Sequence, residues 1–353
     1  MKRIMNIKPA SASAAKKARE RVDSLVKPIG SLGRLEDYAV QLAAIFGKTN
    51  LPPLKKAIAV FAADNGVWDE GISPVPQSVT AIQAVNMTKG VTGVGVLAAC
   101  AGADVFVYDM GIRNFPGHKG IGDRRVGNGT RSIARGPAMD IEQTIQAITH
   151  GIDVAEELCD KGYRLLGCGE MGICNTTTSA AVLCALTGAD VEETVGRGAG
   201  ITDEQLEKKR SVVRTALELS RPDPDNTLEV LATVGGFDIA AMTGFFLGAA
   251  YKQVPVVIDG FISAVAALAA YRLNAAAVDY MFASHHSAEP GFGIAMDALG
   301  LFAPLQLNMR LGEGSGCPLM FAVLDGAAAM LTKMATFADA SIDPSKLVDI
   351  RKP

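Results

Sequence analysis

Residues 165–182, LLGCGEMGICNTTTSAAV, set a single carboxylate, Glu170, among Gly167, Gly169 and Gly172 and just ahead of Asn175, Thr176, Thr177 and Thr178. Glycines let a backbone come close to a ligand, and a helix that starts in the polar run presents unpaired N–H groups to phosphate. Phosphate recognition is therefore expected from backbone and hydroxyl groups around Gly172–Thr177, with few basic residues. A carboxylate beside an anion site is repelled by the anion. Glu170 is thus expected to do chemistry or to face something cationic on the same ligand, against the plainer reading that it caps the helix. A second acid, Glu313, lies in Met309-Arg310-Leu311-Gly312-Glu313-Gly314-Ser315-Gly316. Held beside Leu305, Leu307 and Leu311, it would be partly desolvated and so a stronger base, suited to taking a proton from a weakly acidic nitrogen. The alternative is an exposed turn acid. From the residues alone, the two glutamates make a base and a partner without saying which is which.

Other loops carry consistent chemistry. Asp64-Asn65-Gly66 follows one apolar run, Asp259-Gly260 a second and Ser284-His285-His286-Ser287-Ala288-Glu289-Pro290-Gly291 a third; Gly235-Gly236-Phe237-Asp238 leads into an apolar helix. Gly196-Arg197-Gly198-Ala199-Gly200 reads as a flexible loop with Lys208 and Lys209 soon after. Hydroxyls, glycines and a few lysines suit one sugar phosphate better than a polyphosphate. Adjacent histidines point in different directions, so His285, His286 and Glu289 read as a hydrogen-bonded loop and no metal is expected. Gly167-x-Gly169-x-x-Gly172, with Asp190 or Glu192 downstream, also matches the dinucleotide fingerprint, but a buried acid and an NTTT start do not suit a dinucleotide turn. A partial match at Gly93-Val94-Gly95 follows a helix-like segment and is weaker.

Short apolar runs must hold these loops. AIAVFAA (57–63), DVFVYDM (104–110), RLLGC (164–168), PVVID (255–259) and DYMFAS (279–284) are strand candidates, alternating with helical segments such as 140–161 and 203–219. That alternation predicts an α/β fold, a doubly wound, mostly parallel, Rossmann-like sheet whose ligands bind beyond the strand carboxyl ends. Helical patterns at 14–25, 35–46 and 320–337 have no strands between them. A small helical domain is expected from residues 1–50 and 320–353, with residues 51–319 forming the large catalytic domain. The 353 residues carry 34 basic and 37 acidic side chains, a net charge of −3, which gives no electrostatic case for nucleic acid or an anionic membrane. Six cysteines without paired metal spacing, and no hydrophobic leader after Met1-Lys2-Arg3, point to a reduced, cytoplasmic chain.

Over nearly its whole length the chain resembles the nicotinate-nucleotide–dimethylbenzimidazole phosphoribosyltransferases. The resemblance is carried by Lys27-Pro28-Ile29-Gly30-Ser31-Leu32-Gly33-Arg34-Leu35-Glu36, Ala63-Asp64-Asn65-Gly66-Val67, Pro76-Gln77-Ser78-Val79-Thr80, GEMGICNTTT, GGFDIAAMTG, SHHSAEPG and RLGEGSG. It implies transfer of the 5-phosphoribosyl group of nicotinate mononucleotide to 5,6-dimethylbenzimidazole, with inversion at the anomeric carbon, no cofactor and a homodimer. Glu313 matches the family's general base and Glu170 its second functional glutamate. Pro76, Gln83 and Leu311 match the base pocket; Gly172, Thr176, Lys209 and Ser287 match positions around phosphate and ribose. Asn175, Thr177, Gly198, Asp238 and Asp259 complete the expected substrate-binding set. Two positions depart from the pattern: Cys174 stands where relatives commonly have glycine, and Asn65 where many have histidine. Against this reading stand an NAD-dependent oxidoreductase and a non-catalytic binder of a vitamin precursor.

Overall fold

The computed structural model describes residues 2–198, 200–345 and 347–351; Ala199 of the expected flexible loop, and residues 1, 346, 352 and 353 of the expected helical domain, lie outside them. Six strands are formed: β1 Lys56–Ala63, β2 Ala103–Gly111, β3 Ile121–Asp123, β4 Leu165–Met171, β5 Val256–Ile258 and β6 Met281–Ala283. All pair in parallel, in the order β3-β2-β1-β4-β5-β6. This is the doubly wound arrangement the sequence predicts, with its switch point between β1 and β4. Five strands coincide with the apolar runs. The sixth, β3, is three residues at the sheet edge inside a Pro- and Gly-rich stretch, too short to leave a pattern.

Strand β4 runs three residues further than RLLGC suggests, so Gly167 and Gly169 are strand residues and not a ligand-binding turn. Both are small because other elements press on them: a Cβ on Gly167 would lie 2.8 Å from Cys317 Cβ, and one on Gly169 2.4 Å from the Glu313 carbonyl oxygen. The dinucleotide fingerprint loses its physical basis here, since its glycines serve packing.

The helices are α1 Lys2–Met5, α2 Ala12–Ser24, α3 Arg34–Phe46, α4 Val79–Thr88, α5 Gly93–Ala101, α6 Ile141–Asp160, α7 Asn175–Thr187, α8 Val191–Thr194, α9 Asp203–Ser220, α10 Thr227–Val234, α11 Phe237–Tyr251, α12 Phe261–Leu273, α13 Gly291–Leu299 and α14 Cys317–Lys333. Their starts follow ordinary capping chemistry. Ser11 accepts from Ala14 N, and Asp140/Gln143 and Thr202/Gln205 form capping boxes at α6 and α9. Helices α4, α5 and α14 pack on one face of the sheet, α11 and α12 on the other. Helix α11 is apolar all round and buried along almost its entire length, as a helix sandwiched between the sheet and α6 must be. The two ends of the chain meet: α14 packs on α2 and α3, Val26 N bonds Ala335 O, and Phe337 N bonds Ser24 O. Residues Val79–Ala101 are the one stretch among the described residues long and apolar enough to cross a membrane. In the fold they are two helices, α4 and α5, interrupted at Lys89–Thr92 and seated on the sheet through Ala84, Met87, Val94 and Ala98.

Candidate active site

A cavity of about 300 Å³ opens at the carboxyl ends of β4, β5 and β6. Its wall is contributed by residues 170–177 at the end of β4 and the start of α7, 259–263 after β5, His285, Ser287 and Glu289 after β6, the 310–313 loop, residues 72–75 ahead of α4, and Val79 and Gln83 on α4. Glu170, Gly172, Asn175, Thr176, Thr177, Gly198, Lys209, Asp259, Ser287, Leu311, Glu313 and Gln83 all line it. Pro76 and Asp238 do not. Pro76 is exposed beside the lining residues Pro74 and Val75, while Asp238 lies wholly buried behind Asn175.

Glu170 ends β4 inside a buried polar chain. The Asn175 amide donates to Glu170 Oε2 and, at 3.2 Å, to Asp238 Oδ2; Asn65 Nδ2 donates to the same Asp238 oxygen at 3.4 Å. Asn175, expected among the ligand groups, is therefore committed to holding two acids apart. Burial pushes the Glu170 carboxyl up to about 8, with Asp238 and Asp259 adding to the rise. Burial likewise takes Asp238 up to about 6, and Asp259 up to about 7 despite the N–H groups that it accepts. Near neutral pH this cluster holds protons that exposed acids would have released.

Glu313 is presented from a loop that is conformationally costly. Gly312, Glu313 and Gly314 have φ of 83°, 65° and 88°, three successive left-handed residues of which only the glycines adopt that region freely. Asp259 holds the loop there, accepting from Gly314 N at 2.9 Å and Gly316 N at 2.6 Å. Glycine is required at 312 for a second reason, since a Cβ would stand 2.4 Å from Glu170 Oε1. The Glu313 side chain is buried, its Oε1 3.4 Å from Gln83 Nε2 and its Oε2 3.1 Å from Val94 N. Of the leucines expected to desolvate it, Leu307 and Leu311 are more than half exposed and Leu305 is half-buried; Leu311 still lies with the carboxylate against Gly93, whose helix adds the Val94 N–H to the enclosure. A carboxylate in this loop is an enclosed acid, not a turn acid.

Helix α7 begins beside Glu170, at Asn175. Lys209 reaches it from α9, buried, with Nζ 2.8 Å from Thr176 Oγ1 and 2.9 Å from Gly196 O. Burial lowers this ammonium to about 8, opposed by the nearby Glu289 charge. Glu289 Oε1 accepts from Gly198 N at 3.1 Å, and Ser287 Oγ accepts from Glu289 N. Arg197 and Arg310 also line the cavity, which is therefore richer in cations than residues 172–177 alone suggest. Arg310 was hidden in RLGEGSG, where the acid drew the attention. His285 is buried and His286 exposed, so their rings do not converge; burial, with His286 adding, takes His285 down to about 4 and keeps it neutral. Among the described residues, no group of three or more His, Cys, Asp or Glu could hold a metal ion.

Cys174, before α7, has φ of 75°. The departure from glycine is thus tolerated at a left-handed position, with the thiol half-buried and pushed up to about 11 by burial. Asn65 is fully buried; it donates to Asp238, and its Oδ1 accepts from Thr178.

Sequence and structure comparisons agree with this geometry. A family profile described as Phosphoribosyltransferase matches residues 7–342. The nicotinate-nucleotide–dimethylbenzimidazole phosphoribosyltransferase of Clostridium perfringens (strain 13) is 47% identical over 335 residues, covering 95% of this chain and 93% of its own. That of Escherichia coli O6:K15:H31 is 46% identical, covering 96% and 95%. The crystal structure of CobT from Thermus thermophilus superposes with a TM-score of 0.90 at 39% identity, over 94% of this chain and 99% of that one. With the doubly wound sheet, the two enclosed glutamates and these full-length matches together, the chain belongs to the nicotinate-nucleotide–dimethylbenzimidazole phosphoribosyltransferase family.

Proposed function

We propose that this protein is a glycosyltransferase that moves the 5-phosphoribosyl group of nicotinate mononucleotide onto 5,6-dimethylbenzimidazole, giving α-ribazole 5′-phosphate and nicotinate. The observation that carries the chemistry is Glu313, an enclosed carboxylate held at the cavity wall by two separate donors. One benzimidazole nitrogen attacks the anomeric carbon on the side opposite nicotinate, inverting it. The breaking C–N bond returns its electron pair to the pyridinium, which leaves neutral at nitrogen and needs no general acid. Glu313 takes the proton from the other benzimidazole nitrogen. Glu170 faces the positive charge that builds on the ribosyl centre, and the fixed donors and acceptors around it need no rearrangement as that charge develops. Lys209, Thr176, Gly172, Gly198 and Ser287, with the start of α7, receive phosphate and ribose. Val79, Gln83, Ile173 and Leu311 receive the base. No cofactor enters.

The protein acts on small molecules in the cytoplasm as a homodimer. The exposed Ile82, Val91, Val96, Phe302 and Leu307 supply apolar surface for a second copy. Residues 1–50 and 320–353 form the small helical domain and residues 51–319 the catalytic one, supported by the packing of α14 on α2 and α3. The test is incubation with nicotinate mononucleotide and dimethylbenzimidazole, followed by chromatography for the α-linked product. Glu313→Gln should bind both substrates and turn over about 10²–10⁴ times more slowly, the range of a lost general base. A product absent from the parent protein, or a Glu313→Gln variant that turns over normally, refutes the corresponding half.

A further inference from the structure

The two oxygens of the Glu313 carboxylate are held differently. Oε2 accepts from the backbone N–H of Val94, the second residue of α5, at 3.1 Å. First-turn N–H groups have no helical carbonyl to bond, so this donor is fixed in place and otherwise unused by the helix. Oε1 has the Gln83 side chain at 3.4 Å, a longer contact from a half-buried residue that can swing away and whose own Oε1 accepts from Asn86. The approach to α5 depends on Gly93: a Cβ there would meet Leu311 Cδ2 at 2.4 Å and Glu313 Oε2 at 3.2 Å. Helix α5 is itself anchored by packing on β2 and α14, and α14 starts directly after the Glu313 loop. Charge reaches the carboxylate from Glu170 on β4, whose Oε1 accepts from Glu313 N, and from Asp259 after β5, with Arg310 in the same cavity wall.

We propose that the first turn of α5 is the positioning element of the catalytic base, with Val94 N–H holding Oε2 so that the benzimidazole proton is taken through Oε1. This inference rests on Glu313 being the base. In the step, the N–H bond of the benzimidazole breaks and its electron pair stays in the ring. The proton forms the O–H of Glu313 at Oε1, the other ring nitrogen bonds the anomeric carbon, and nicotinate departs with the pair of the broken C–N bond. Gln83 moves aside to admit the base. Gly93 is then a requirement of catalysis and not only of packing, because any side chain there pushes Leu311 or the carboxylate off the anchor.

Val94→Pro deletes the one N–H at a first-turn position where proline is tolerated, and Gly93→Ala disturbs the same anchor without touching that N–H. Both are compared with the parent protein and with Glu313→Gln, singly and combined, after melting temperature and nicotinate mononucleotide titration have checked each fold. Val94→Pro should lower kcat about tenfold, the worth of one charge-assisted hydrogen bond, with nicotinate mononucleotide affinity kept within about twofold. In the Glu313→Gln background it should cost nothing further. Gly93→Ala should show the same signature, which keeps the test alive where the proline variant does not fold. Parent-like turnover in both variants, or an equal loss in both backgrounds, would overturn the proposal. Parent-like turnover in Glu313→Gln itself would instead remove the general base, and the anchor with it.

Discussion

With Lys209 as the proposed phosphate-receiving group, the affinity for nicotinate mononucleotide should depend on pH in a way that can be worked out beforehand. Its ammonium is buried between Thr176 Oγ1 and Gly196 O and titrates at about 8, well below an exposed lysine. If the charged form is the one that receives phosphate, the competent fraction falls from roughly nine-tenths at pH 7 to roughly one-tenth at pH 9. The apparent dissociation constant should therefore rise about tenfold over those two units. The sign follows from the group: a depressed lysine is charged below its pKa and neutral above it, so binding is strong at low pH and weakens on the alkaline side. A phosphomonoester has its second pKa near ~6, so the ligand stays dianionic throughout and does not produce the slope. Glu170, at about 8, ionises in the same window, and in the proposed complex its charge would act on both the pyridinium and the phosphate of the ligand. Lys209→Met separates the two. It should lose about 10–100-fold in affinity at pH 7, as for one hydrogen bond to a charged group, and show only what remains of the slope from the acids. Calorimetric titration without dimethylbenzimidazole, from pH 6.5 to 9.5, measures this with no turnover. A parent protein with constant affinity across that range, or a Lys209→Met variant with the parent's slope, would refute the reasoning.

Thr176→Val removes the hydroxyl that Lys209 grips and should raise the apparent constant for nicotinate mononucleotide by about tenfold; an unchanged constant takes Thr176 out of the site. At Cys174, where φ is 75°, Cys174→Gly should leave unfolding free energy within about 1 kcal/mol of the parent or raise it, because relief of left-handed strain offsets the entropy glycine gains when unfolded. Cys174→Val should cost more than Cys174→Ala, since β-branched residues fit that region worst; denaturant titration of the three variants gives the order, and Val equal to Ala would contradict it. Benzimidazole without its methyl groups should be a working substrate within about 10–200-fold in kcat/KM, as apolar walls such as Val79, Ile173 and Leu311 discriminate weakly; outright refusal would point to a polar or steric filter.

What the chain reveals about itself divides along physical lines. Parallel strands buried on both faces read as apolar runs, so β1, β2, β4, β5 and β6 were visible, and the chemistry-bearing loops were visible because they follow those runs. The end of β4 was misread because Gly167 and Gly169 look like a turn; that they are flattened against Cys317 and the Glu313 loop is a tertiary fact with no local trace. Glu313 reads from sequence as either an enclosed acid or a turn acid, with leucines as the enclosing groups; Leu311 does lie nearby, but the donor from α5 that meets the carboxylate is some 220 positions away in the chain and leaves no local trace. Asn175 reads from sequence as a substrate-binding residue, and it does line the cavity, while its amide also serves two buried acids. Its commitment to Glu170 and Asp238 depends on where α11 begins, which no spacing in 165–182 encodes.

The buried acids explain why this end of the sheet is built as it is. Glu170, Asp238 and Asp259 lie at strand ends or helix starts, where backbone N–H groups and amide side chains are available to them, and burial raises all three. Ionising three such neighbours at once costs more than the donors return, so each keeps a proton over part of the neutral range. A cationic ring and a developing oxocarbenium are the kinds of charge that reverse that balance, since positive charge arriving nearby favours the ionised forms. A site with its acids already ionised and paired with lysine or arginine would have less to offer that charge. Lys209 instead grips Thr176 Oγ1 in the first turn of α7, next in sequence to the Asn175 that donates to Glu170, so the cavity brings its ammonium and its protonated acids to the same helix start.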